Sequence, residues 1–175
     1  MAYAVVRTDN LSGIVDGAKL ATALYYNSTP AKADIENGTV LALDSIDTTA
    51  PERFTWKAVA PAADAAADGT LILVATPEVL KDKKYFALDE YTNVAGTYLR
   101  GYILEQGDVF SVTKEGFTDG ATATTYIPAV GDGVSLDAAG KLKKNTGTGS
   151  SAAKFAKCLK IETVGTKTFY VLRCL

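Results

Sequence analysis

The apolar residues of this chain fall in short runs rich in Val, Ile, Leu, Tyr, Phe and Thr, and nearly every run is closed by Gly, Asn, Asp or Pro. That is the punctuation of strands joined by turns, with no sustained 3.6-residue apolar period to carry a long helix. The pattern predicts ten strands, at 3–7, 20–26, 39–43, 54–59, 71–75, 97–104, 109–113, 134–136, 155–163 and 168–174. Thr29-Pro30 and Thr76-Pro77-Glu78 each offer an N-cap hydroxyl and then a proline, but too few residues follow for a self-supporting helix. The expected fold is all-β, an antiparallel barrel or sandwich, with short helical turns near 29–36 and 77–83.

With 175 residues, 47% of them hydrophobic and 22% charged, the chain is long enough to bury its own core without staples. One β-rich domain over 1–175 is predicted, with an N-terminal arm at 1–19 and two β-modules joined near the alanine-rich stretch 60–69. The Gly/Ser-rich stretch 143–151 reads as a mobile loop. Glycine turns at Gly38, Gly107 and Gly131 each lead into an alternating strand. Their unequal spacing argues for shared turn chemistry rather than a repeat.

The chain has no histidine, which removes Ser/His/Asp and Cys/His triads, histidine metal sites and histidine general bases together. Thr146-Gly147-Thr148-Gly149 lacks the GxxxxGK[ST] pattern of a phosphate loop, and no calcium-loop pattern occurs. Asp44 with Asp47, and Asp89 with Glu90, read as solvated turn acids rather than acid/base pairs. No catalytic residue, cofactor or metal is predicted. A net charge of −2 and a pI near 5.2 give no field to recruit nucleic acid or an anionic membrane. No apolar run reaches the ~18–20 residues of a bilayer span, and the N-terminus lacks the charged and apolar regions of a signal peptide. Synthesis in a cytoplasm is expected.

The average charge hides an asymmetry. Residues 141–175 hold eight Lys and Arg against Glu162 alone, a net +7, which leaves −9 of the total −2 for the first 140 residues. Lys141, Lys143 and Lys144 open this basic region, which suits either a solvated polar face or an oriented contact with a partner lattice. In the strand at 97–104, period-two alternation puts Tyr98, Arg100 and Tyr102 on one face. Tyr and Arg anchor protein interfaces, and the same spacing fits half-buried sheet packing or glycan stacking. The candidate interface residues are therefore Tyr98, Arg100, Tyr102, Lys141, Lys143 and Lys144.

Cys158 and Cys174 lack CxxC spacing and are expected to be free thiols. Gly165-Thr166 fits a two-residue type II′ turn, which sets Leu159 opposite Leu172 and Ile161 opposite Tyr170 on the core face. Cys158 then faces Arg173; a three-residue loop would set the two cysteines opposite each other.

Three stretches carry a resemblance: 102–113 (YILEQGDVFSVT), 130–141 (VGDGVSLDAAGK) and 155–173 (FAKCLKIETVGTKTFYVLR). They resemble the small β-rich head proteins of tailed bacteriophages, more narrowly the capsid decoration, or cement, proteins. The segment 2–10 and the Asn37-Gly38 strand fit the same style, which also suits tail-tube or baseplate proteins. The resemblance implies a non-enzymatic virion protein, often oligomeric, that binds the major capsid protein lattice and reinforces it. A glycan-binding β-sandwich module using the tyrosine face is the alternative.

Overall fold

Among the described residues the apolar runs become eleven strands: β1 (Val6–Arg7), β2 (Leu20–Tyr26), β3 (Val40–Ile46), β4 (Thr55–Val59), β5 (Leu71–Val74), β6 (Leu99–Ile103), β7 (Val109–Thr113), β8 (Gly133–Leu136), β9 (Leu142–Lys144), β10 (Ala156–Val164) and β11 (Lys167–Cys174). The computed structural model describes residues 2–11, 16–51, 54–61, 70–77, 88–120, 124–145 and 155–175. Strands β2, β4, β3, β5 and β6 close in that order into a barrel, and β1, β7, β11, β10, β8 and β9 form a six-stranded sheet. All strand-with-strand pairings among the described residues are antiparallel except β2 with β4, which run parallel with Thr22 opposite Thr55.

Side-chain size explains how five strands close so tightly. The barrel interior is filled by Ala21, Ala23, Leu41, Ala58, Ile72, Val74 and Leu99, alternating small and large residues as a narrow barrel demands. Gly101 faces inward too, where a Cβ would sit 2.5 Å from Ile72 Cδ1, so only glycine fits there without displacing Ile72. On the other face of β3 and β5, Val40, Leu71 and Leu73 meet Phe110, Val112, Val134, Leu136, Leu142 and Leu172 of the sheet in a second core. Both faces of β5 and of the start of β3 are buried, which is why Val40-Leu41 and Leu71–Val74 are continuous apolar runs rather than alternating ones. Burying each such side chain is worth roughly 1.5–3 kcal/mol, so the shared core binds barrel and sheet into one unit.

The three glycine turns use one device. At Gly38, Gly107 and Gly131, φ lies between 81° and 95°. Each glycine N–H donates to the carbonyl of a facing residue, Val74, Cys174 and Cys158 respectively, whose own N–H donates to the carbonyl of the residue after the glycine. This is the hydrogen-bond signature of a glycine bulge, which bends the chain sharply into its new strand. Around Gly107 and Gly131 the likeness extends to side chains: Asp108 accepts from Glu105 N–H and Asp132 from Ala129 N–H, both at 2.8 Å. The two turns thus grip opposite strands of the β10–β11 hairpin in the same way.

Several expectations need correction. No helical turn forms over 29–36; the Asn27 side chain accepts from Thr29 N–H, Thr29 Oγ1 and Ala31 N–H and holds a bend instead. Three-residue 3₁₀ turns lie at Thr8–Asn10, Gly17–Lys19, Leu88–Glu90 and Lys114–Gly116; of the segment 77–83, residues 78–83 fall outside the described residues. Strand β9 occupies the start of the stretch read as a mobile loop, and the rest of that stretch, from 146, lies outside the described residues. Within the predicted arm Ala4, Val6 and Leu11 belong to the shared core, and Val5 N–H donates to Thr113 Oγ1; residues 1 and 12–15 fall outside the described residues. Both strands flanking 60–69 belong to the barrel, so the passage from barrel to sheet comes at 104–108.

The terminal hairpin turns as expected. Gly165 has φ 62° while Thr166 has negative φ, as a type II′ turn requires, and Val164 faces Lys167. A bulge between Cys158 and Lys160 then shifts the register. Cys158 faces Leu172 rather than Arg173, and Cys174 faces Ala156, so the cysteines are not paired and both are free. Ile161 does face Tyr170, but Leu159 and Ile161 are 43% and 39% exposed, because the hairpin runs on beyond the strands that cover its base.

Candidate interaction surface

Strand β6 is a barrel stave, and its two faces meet different surroundings. Leu99 and Gly101 point into the barrel, so Tyr98, Arg100 and Tyr102 point outward, as the alternation predicts. Outward does not mean solvent along the whole strand. Tyr98 and Arg100 are exposed, whereas Tyr102 is 5% exposed because the six-stranded sheet covers that end of the barrel. Tyr102 is a core residue opposite Leu20 and Leu73, not an interface anchor.

Three lysines of the basic region, Lys141, Lys144 and Lys167, turn on acids of the first 140 residues. Lys141 Nζ lies 3.3 Å from Glu36 and donates to the Glu115 carbonyl at 3.4 Å. Lys144 Nζ lies 2.7 Å from Asp132, and Lys167 Nζ 2.8 Å from Asp89. Lys143 sits in β9 opposite Ser135 and is half-buried. Part of the charge asymmetry between residues 141–175 and the first 140 is thus neutralised within one molecule. These contacts register in the acids: Lys144 and the Ala129 N–H hold the Asp132 carboxyl below its ordinary range, and Lys167 does the same for Asp89.

Two further acids, Asp47 and Asp108, hold the fold as well. Asp47 is buried and accepts from Tyr26 O–H at 2.7 Å, Thr49 O–H at 2.6 Å and Thr49 N–H at 2.9 Å. Its carboxyl is held far below the carboxylate range by the Thr49 and Tyr26 hydroxyls. Asp44 instead is exposed and takes the Ser45 hydroxyl, so the two acids do not share a site. Asp108 accepts Lys19 at 3.0 Å. Among the described residues no three Cys, Asp or Glu side chains converge as metal ligands. An open recess of about 340 Å³ beside the hairpin is lined by Lys114, Glu115, Lys167 and Tyr170, and one of about 230 Å³ holds the Lys141–Glu36 pair.

The exposed feature that alternation alone does not reveal is the outer half of the β10–β11 hairpin, where Leu159, Ile161 and Val164 stand 39–48% exposed. A strand pattern read with its hydrophobic face inward assigns Leu159 and Ile161 to the core; only the lengths of the neighbouring strands show that no described strand pairs with β10 beside them. Phe54 and Val130, 78% and 60% exposed, are further apolar points on turns. Comparison with protein-family models and with curated proteins finds no match to this chain.

Proposed function

We propose that this chain is a non-enzymatic virion structural protein that binds the outside of an assembled tailed-phage capsid and stabilises it. The observation that carries the reading is the placement of the three resembling stretches. They supply β7, β11, β10 and β8, four consecutive strands of one sheet, with both Gly-Asp turns docked on the same hairpin. Most of the resembling residues thus fall in one contiguous part of the fold, with Tyr102-Ile103 and the Asn37-Gly38 strand in the barrel beside it. Tyr98 and Arg100, exposed on the barrel, and Val164 at the hairpin tip are the surfaces offered to the lattice, because apolar and aromatic anchors supply most interface affinity while charge mainly steers encounter. The glycan-binding alternative loses its stacking pair, since Tyr102 is interior.

The test is incubation of the purified chain with undecorated tailed-phage heads and, separately, with tails, followed by sedimentation and a heat challenge. Binding to heads with a raised disruption temperature supports the reading. Binding to tails alone moves the chain to the tail or baseplate, and binding to neither overturns the proposal.

A further inference from the structure

The margins of the six-stranded sheet are managed unequally. The barrel has no edge, because it closes. At one end of the sheet β1 is only two residues long. At the other end β9 carries lysines and is covered: Thr118 N–H donates to the Leu142 carbonyl and Lys144 N–H to the Tyr126 carbonyl. These are standard protections against edge-to-edge pairing. Strand β10 is different. Strand β8 pairs with it at Ala156 and Lys157, Gly131 and Asp132 bond to Cys158, and past that point no described residue pairs with its outer edge. The open stretch runs to Val164 and carries exposed Leu159, Ile161 and Val164.

Which backbone groups face outward follows from the turn. A two-residue turn closes on a pair that exchanges both hydrogen bonds, here Val164 and Lys167. Alternation then makes Glu162 with Phe169 and Lys160 with Val171 the bonded pairs, leaving the N–H and C=O of Ile161 and Thr163 aimed away from β11. An antiparallel partner strand of the same sequence can meet this edge only in registers that set outward residues opposite outward residues. Pairing Ile161 with Thr163 sets Glu162 against Glu162, which is repulsive. Pairing Thr163 with Thr163 engages little more than the tip. Pairing Ile161 with Ile161 sets Lys160 opposite Glu162 twice, once on each side of the twofold axis.

We propose that the open edge of β10 pairs with β10 of a second copy of this chain, antiparallel and centred on Ile161, joining two six-stranded sheets across a twofold axis. Glu162 already takes Lys160 of its own strand at 2.8 Å and the Arg7 guanidinium. In the pair it exchanges its own Lys160 for the second copy's and keeps Arg7, while the aliphatic Ile161 side chains meet on the opposite face. Each isologous contact is made twice, as a twofold requires. A strip of about five residues a side is smaller than a standard interface, so the association is expected to be weak, in the micromolar range or above.

Sedimentation velocity of the full chain over about 1–500 μM reads this directly, with far-UV circular dichroism as the folding check. The wild type should shift from monomer to dimer across that range. Lys160→Glu and Glu162→Lys should each weaken self-association about tenfold or more, because each sets like charges opposite one another in the homodimer. An equimolar mixture of the two variants should form a heterodimer, since one chain then presents acids at both positions and the other presents lysines at both. Ile161→Pro, which removes an outward N–H without touching the β11 ladder, should leave a folded monomer. A wild type that stays monomeric throughout, single-charge variants that dimerise as the wild type does, or a mixture that stays monomeric would each overturn the proposal.

Discussion

Replacing Tyr102 by alanine separates an interior tyrosine from a surface anchor. The ring is 5% exposed and stands in the core shared by barrel and sheet. A buried tyrosine removes roughly 150–250 Å² from water, which at ~25 cal/mol per Å² is about 4–6 kcal/mol as an upper bound. Measured aromatic-to-alanine changes in cores cost about 3–5 kcal/mol, the cavity included. For a domain of this size a midpoint moves by roughly 2–4 °C per kcal/mol, so Tyr102→Ala should melt about 6–20 °C below the wild type. Tyr98→Ala, 39% exposed on the same face of the same strand, should stay within about 1 kcal/mol. Guanidinium unfolding followed by Trp56 fluorescence and by circular dichroism measures both. Equal small effects at the two positions would refute the placement of the sheet over that end of β6.

Gly101→Ala should destabilise by about 1–3 kcal/mol through contact with Ile72, and Ile72→Ala in the same chain should recover part of that loss; a neutral single variant would show that the barrel interior is not filled there. Burial raises the thiol of Cys158 and pushes that of Cys174 up to about 12, so neither should react with a thiol reagent at pH 8 in the native protein, and both should react once it is unfolded. The carboxyls of Asp89, Asp132 and Glu162, held below their ordinary values chiefly by Lys167, Lys144 and Lys160, bind protons more readily in the unfolded chain. Their contribution is fully present above the ordinary carboxylate range near pH 4 and fades as pH falls through the depressed folded values. A melting temperature that holds from pH 8 to pH 5 and then drops, with a shallower drop in Asp132→Asn, is the expected result, and an unchanged slope would contradict it.

The strands were legible because turn residues mark their ends, and ten of the eleven lie where apolar runs and glycines place them. Strand β9, Leu142–Lys144, was not, because a three-residue edge rich in lysine has the composition of a loop and is held by backbone bonds to 118 and 126. Alternation assigned Tyr98, Arg100 and Tyr102 to one face correctly, yet exposure depends on what packs over that face, a long-range fact that a local pattern does not contain. The hairpin register failed at a single residue: the type II′ turn follows from Gly165, but the bulge lies just past Cys158, which the Gly131-Asp132 turn holds from the far side, a long-range contact that the hairpin's own sequence does not contain. The charge asymmetry was visible in the chain, while its pairing within the fold, Lys141 to Glu36 across 105 positions, was not.

Imaging tailed-phage heads that lack decoration, before and after addition of the purified chain, tests the proposed capsid-binding role most directly. Cryo-electron microscopy should then show added density on the outer capsid surface into which the barrel and its six-stranded sheet fit, with Tyr98, Arg100 or the hairpin tip at the contact. Heads whose outer surface is unchanged at saturating protein, with the chain left folded in the supernatant, would contradict it.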